Sequence, residues 1–199
     1  MNNMNRHTII IVSGKKQSGK DTFCSFVNEF APSIFSKLAF ADSLKISLQK
    51  FLKFNFDISV PLDSFYLNEK KEKKLSNYSK ISSLRVAMQW FGQMMKENFG
   101  EDFWVKKVIS QIELHPGNCV ISDARFPYEI EGIKNAFLNK EYNIYSIRIN
   151  RKSSLVDSDI SETALDEKPI TYFDFTIDNN GTFDEFEESC RKILTEIFN

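Results

Sequence analysis

Short continuous apolar runs alternate along this chain with stripes of apolar residues at helical spacing. Ile9 to Val12 is a β-branched run ending at Ser13-Gly14, which predicts a strand buried on both faces. After a glycine-rich segment, Phe23, Phe26, Val27 and Phe30 recur at helical spacing until Pro32, where a ring without an N–H stops the pattern. The unit then returns. Cys119 to Ser122 lead to Asp123, and Pro127 stands where a helix can begin, with Ile130, Ile133 and Phe137 as its stripe.

Ile144 to Ile149 predicts a third strand, and Phe175 to Ile177 a fourth, closed by the turn Asn179-Asn180-Gly181. Thr182 and Glu185 have capping-box spacing ahead of a helix whose buried face would be Phe183, Phe186, Cys190, Ile193, Leu194 and Ile197. In the middle, Ser83 would cap a helix carrying Leu84, Met88, Phe91 and Met95, and Val105, Val108, Ile109 and Ile112 mark another after Asp102. Helices between strands predict a doubly wound α/β fold: a parallel sheet flanked by helices in three layers. With 199 residues and no internal repeat, a single domain over 1–199 is expected. Two polar stretches interrupt the pattern. Residues 68–80, with EKKEKK, read as a solvated face and a candidate mobile insert. Residues 151–169 read as a surface loop or a lid over the site.

Composition adds exclusions. Basic and acidic residues number 26 and 27, so no global field gathers nucleic acid or anionic membrane, and any anion must be held by local geometry. The N-terminal residues are too polar for a signal core or a membrane span, which predicts a cytoplasmic protein. Cys24, Cys119 and Cys190 lack metal-finger and C-x-x-C spacing and are expected as reduced thiols. His7 and His115 lie beside no nucleophile motif, which disfavours a serine or cysteine hydrolase.

Gly14-Lys15-Lys16-Gln17-Ser18-Gly19-Lys20 matches the G-x-x-x-x-G-K half of the P-loop fingerprint, between a buried strand and a helix as that motif requires. Its glycines let backbone N–H groups curl around phosphate, the helix N-terminus adds its positive end, and Lys20 supplies a charge to the β and γ phosphates. The next residue departs from the pattern: Asp21 stands where Ser or Thr would reach magnesium, with Thr22 following. Asp21 either ligates Mg²⁺, directly or through water, or simply favours the first helical turn. Asp123, at a strand end, is a second candidate for the Mg²⁺ shell.

Arg125, two residues on, either clamps a phosphate at the rim of the sheet or pairs with Asp123. Arg148 and Arg151 flank another strand end; Arg151, nearer the rim, suits a transition-state cation, and Arg148 is as compatible with a structural role. Arg85 and Gln89, at i and i+4, share a helix face that could grip a phosphate and a base or simply be solvated.

The blocks GKKQSGKDT, FADSLK, LRVAMQWFGQ with EDFWV, VISDARFPYE, IRINR, ISETALDE and DFTIDNNGT, in that order, resemble the deoxynucleoside monophosphate kinases of the phage type over nearly the whole chain. The resemblance implies a nucleoside-monophosphate-kinase-like fold, ATP and Mg²⁺ as cosubstrates, and phosphoryl transfer to a deoxynucleoside monophosphate. It would place Gly14 through Thr22 at ATP, Lys45, Arg85 and Arg125 at the acceptor phosphate, and Arg151 in the lid. Catalysis would then fall to Lys20, Arg125 and Arg151. The expected partner is a small molecule, not nucleic acid or membrane, and a homodimer is compatible with it. Animal-type phosphomevalonate kinases share the GKD loop, a D-x-R block and a similar turn, and are the alternative. A noncatalytic P-loop module is a further reading. A GTPase is disfavoured because Asn139-Lys140-Glu141-Tyr142 lacks the final Asp of N-K-x-D.

Overall fold

The structure is a computed structural model that describes residues 6–31, 33–75, 81–152 and 160–199. Pro32, read above as the helix stop, and parts of both polar stretches, 76–80 and 153–159, lie outside the described residues. The chain forms two compact units, one of Met1–Ala39 with Ile109–Asn199 and the other of Phe40–Val108.

The first unit is built on five strands: β1 (His7–Gly14), β2 (Ser36–Leu38), β3 (Cys119–Ala124), β4 (Tyr142–Asn150) and β5 (Phe175–Asp178). Their order is β2-β3-β1-β4-β5, and every neighbouring pair is parallel. Ile9, Ile10, Ile11 and Val12 are all fully buried, as a central parallel strand covered on both faces demands. Ile10 is in register with Val120 on one side and Tyr145 on the other.

Alternation along the strands separates two cores. Ile10, Val12, Val120, Ile147, Ile149 and Ile177 pack with Phe23 and Val27 of helix α1 (Lys20–Phe30) and with Phe186, Cys190 and Leu194 of the C-terminal helix, Phe183–Phe198. Each buried Phe or Leu there contributes roughly 1.5–3 kcal/mol relative to exposure. The helix Pro127–Phe137 packs against β4 and buries Ile130, Ile133 and Phe137. The parallel sheet is thus flanked by helices, as the periodicity predicts. The C-terminal helix is capped as expected: Thr182 Oγ1 accepts from the Glu185 N–H at 3.3 Å, and Glu185 accepts from the Thr182 N–H at 2.7 Å. Because β1 lies between β3 and β4, the chain leaving β3 crosses to the far side of β1. That reversal makes the C-terminal ends of these strands a crevice, and the glycine-rich segment emerges there.

The second unit contains α2 (Phe40–Phe56), a 3₁₀ turn at Leu62–Phe65, α3 (Asn68–Lys71) and α4 (Leu84–Phe99). The next helix, α5 (Phe103–Leu114), begins in it. Leu48, Leu52, Phe65, Leu84, Ala87, Phe91 and Trp104 form its core, and Trp104 Nε1 donates to the Gly92 carbonyl at 3.3 Å. Ser83 caps α4 as predicted, accepting from the Val86 N–H at 3.4 Å. Neither β2 nor α2 was read from the pattern. The first has only three residues, and along the second Leu44, Ile46 and Leu48, then Leu52, Phe54 and Phe56, recur at every second position, which masks the helical period: Phe54 and Ile46 are exposed. The strand expected at Ile144 to Ile149 is consequently the fourth in chain order. Helices α6 (Pro127–Phe137), α7 (Ile160–Thr163) and α8 (Phe183–Phe198), with a 3₁₀ turn at Ile170–Tyr172, complete the described elements.

Candidate active site

β1 ends at Gly14 and α1 begins at Lys20, so the intervening residues form a loop at a helix N-terminus. The Ser18 N–H donates to the Lys15 carbonyl at 3.1 Å, and Gln17 and Gly19 take left-handed φ values of 62° and 106°. Both glycines are required by close approach. A Cβ on Gly14 would lie 2.4 Å from Ser18 Oγ and 2.6 Å from the Ile149 carbonyl, and one on Gly19 would lie 2.7 Å from Asn179 Nδ2. That Asn179 amide, buried just past β5, donates to the Ser18 carbonyl at 2.9 Å. Lys20 Nζ donates to the Gly14 and Lys15 carbonyls at 2.7 and 2.6 Å. Burial, and then the nearby charge of Arg125, brings its pKa down to about 8. Among the described residues, Ser18 Oγ is buried without a hydrogen-bond partner. These features fit a polyphosphate: a tight loop where side chains cannot intrude, an orphaned hydroxyl, a helix N-terminus and a half-desolvated lysine.

The loop is surrounded by cations with acidic partners. Arg125 follows β3 directly, and its backbone N–H and that of Phe126 both donate to Glu129 Oε2, at 2.6 and 3.0 Å. Glu129 is buried, and burial pushes its pKa up to about 7. The Arg125 guanidinium pairs with Glu162 Oε1, while Glu162 Oε2 accepts the Lys16 N–H at 2.7 Å. Asp166 joins Lys15 at 2.5 Å to Arg148 at 2.8 Å. Arg148 is buried on β4, and burial lowers its pKa against the opposing charge of Asp166. A pocket of about 210 Å³ opens beside it, lined by Arg148, Asp166, Lys168, Phe173 and Thr176 among others. Arg151, exposed beyond the strand, donates to the Gln17 carbonyl at 3.3 Å. Lys15, Lys16, Lys20, Arg125, Arg148 and Arg151 therefore gather around one loop.

Asp21 lies in the first turn of α1, largely exposed, 2.8 Å from Lys37 Nζ. Asp123 is half-buried near the end of β3. Among the described residues no group of three or more His, Cys, Asp or Glu has metal-binding geometry. Cys24, Cys119 and Cys190 are free and buried, and burial raises each thiol to about 12, which makes none of them a nucleophile. Among the described residues no helix is long and apolar enough to cross a membrane.

In the second unit, Lys45 is buried on α2, 3.1 Å from Asp42, with its ammonium 3.8 Å from the centre of the Tyr66 ring. Tyr66 Oη donates to the same Asp42 oxygen at 2.8 Å. Arg85 pairs with Glu72, and Gln89 is exposed on the same helix. Sequence reasoning missed Glu129, Glu162, Asp166, Asn179 and the Asp42–Tyr66 pair. Glu162, Asp166, Asn179 and Glu129 do lie within the ISETALDE, IDNNG and DARFPYE blocks, but nothing local says which cation each acid meets.

Loop, sheet order and flanking helices define a P-loop-type kinase fold. The family model for deoxynucleotide monophosphate kinase matches residues 55–190, and the chain belongs to that family. It is accordingly an enzyme that phosphorylates a deoxynucleoside monophosphate to the diphosphate, with ATP use implied by the family, and the phosphomevalonate alternative falls away. The matched segment begins downstream of Gly14–Thr22 and does not include that loop. Dephospho-CoA kinase from Campylobacter jejuni has a similar fold, with a TM-score of 0.51 and 18% identity, covering 98% of each chain. A protein from Chloroflexus aurantiacus is more distant, with a TM-score of 0.48 and 13% identity over 98% of this chain and 96% of the other. No curated protein matches the chain.

Proposed function

We propose that the residues around the loop divide the phosphoryl transfer as follows. The N–H groups of Lys16, Gln17 and Gly19 to Thr22 and the Lys20 ammonium hold the ATP phosphates, Arg125 bridges toward the acceptor phosphate, and Arg151 neutralises charge as it shifts. The observation that carries this reading is the convergence of Lys20 and Arg125 on one loop whose glycines leave no room for a side chain. An acceptor phosphate is already ionised near neutral pH, so no general base is required, and alignment, charge neutralisation and exclusion of water are the protein's whole contribution. Lys45, Arg85 and Gln89 are assigned to the acceptor on their chemistry: a buried ammonium, a forked guanidinium and an amide that can read a base edge. Asp21 and Asp123 are the carboxylates assigned to hold Mg²⁺, which would supply charge neutralisation at the phosphates when bound. Residues 160–169, whose Glu162 and Asp166 reach the loop, are assigned to a lid.

Lys20→Ala tests the assignment. Turnover with a deoxynucleoside monophosphate panel should fall roughly a hundredfold or more while circular dichroism is unchanged, because the lost charge acts on the migrating phosphoryl group. Arg85→Ala, run beside it, should raise the acceptor KM and leave ATP binding in place. Near-normal turnover by folded Lys20→Ala would remove the loop from the chemistry.

A further inference from the structure

Glu162 is a surface-segment residue whose side chain is only 8% exposed, and its partners explain why. One carboxylate oxygen accepts the N–H of Lys16, the third residue of the glycine-rich loop, and the other pairs with the Arg125 guanidinium. The field of Glu162 also reaches the Lys20 ammonium. A loop N–H, an arginine and a nearby lysine are what a tetrahedral phosphoryl group requires. A carboxylate with two in-plane oxygens can satisfy the first two of these at once. Meanwhile Lys20 donates to the Gly14 and Lys15 carbonyls and is thereby turned onto its own loop. The neighbouring Asp166 does not share this role, since its carboxylate meets the side chains of Lys15 and Arg148.

We propose that the Glu162 carboxylate is an internal stand-in for the transferring phosphoryl group: it fills the subsite formed by the Lys16 N–H and Arg125, and nucleotide must displace it to bind. The inference rests on the reading of Gly14–Thr22 as the ATP site. Displacement has two consequences. It frees Arg125 only once a phosphate has arrived to replace its partner, so the arginine becomes available to the acceptor after ATP is in place. It also opposes ATP binding by the strength of the contacts broken, two charge-assisted hydrogen bonds partly recovered when Glu162 is hydrated.

The test is calorimetric titration of ATP, without acceptor, into the wild-type chain, Glu162→Gln and Glu162→Ala. Both variants should bind ATP about three- to tenfold more tightly, because a neutral or absent side chain competes poorly for a guanidinium. In the Arg125→Ala background, Glu162→Gln should lose most of that gain, the signature of a coupled pair. Equal ATP affinity in all three proteins overturns displacement while leaving the ATP site intact. Weaker binding by both variants also overturns it and makes Glu162 a support for the loop. No ATP binding by the wild type would overturn the site reading and the stand-in together.

Discussion

Asn179→Ala isolates the contact that joins the end of the sheet to the glycine-rich loop. The Asn179 amide donates to the Ser18 carbonyl across 161 residues of sequence, at 2.9 Å in a buried contact. The same nitrogen would lie 2.7 Å from a Cβ on Gly19, so the amide fills the space behind the loop. Removing it leaves the Ser18 carbonyl buried without this donor, at a cost of about 1–3 kcal/mol. Taking about 2 kcal/mol, and 2–4 °C per kcal/mol for a chain of this size, the midpoint of thermal unfolding should fall by about 4–8 °C. The loop should also lose the anchor that sets the direction of its N–H groups, so ATP should bind about three- to tenfold more weakly. Asn179→Asp should be worse, since a carboxylate would face the carbonyl oxygen. Scanning calorimetry gives the midpoint and ATP titration the affinity. A shift below about 1 °C with ATP affinity unchanged would refute the claim that this amide holds the loop.

Two pH experiments follow from buried groups whose titration is displaced. Lys20, with its pKa near 8 in the free protein, is a cation below that pH and loses its charge above it, so ATP affinity should decline above pH 8, at most tenfold per pH step, and Lys20→Arg should abolish the decline. Flat wild-type affinity between pH 7 and 9.5 would contradict it. Glu129 is raised from 4.5 to about 7, so the native state keeps a proton that the unfolded chain has released. Its contribution is full below pH 4.5 and lost as pH rises through 7. Glu129→Gln should therefore flatten the stability profile, retaining about 2–3 kcal/mol more than the wild type does between pH 5 and 8 in urea melts. Identical slopes for the two proteins would count against the buried, proton-holding carboxylate.

What was legible in the sequence was whatever a short stretch of chain decides alone. The glycine-rich loop, the β1 run, the Thr182–Glu185 box and the Pro127 start each depend on neighbours within a few residues, and each stands where the pattern put it. Tertiary packing overrode the pattern in α2, where apolar residues outnumber those the unit can bury.

Residues just past β1, β3 and β4 were likewise legible as a rim, because a parallel sheet puts every strand end on one edge. That logic located Lys20, Arg125 and Arg151, all of which the structure collects around the loop. It could not assign their partners. Glu162 is 37 residues from Arg125 and 146 from Lys16, and Asp166 meets Lys15 across a comparable stretch. Strand ends repeat a fixed direction, whereas an acidic loop can fold onto any of several cations, and only the closed chain says which. The acids matter because several like charges cannot gather at a half-buried edge without compensation: in the described structure Glu162 and Asp166 supply it. On the proposed displacement, an entering polyphosphate would take over that compensation with its own negative charge, and the carboxylate that balances the cluster would become its competitor. On that proposal, the acid-rich segment that carries Glu162 and Asp166 keeps the cations assembled at the glycine-rich loop at the expense of some ATP affinity.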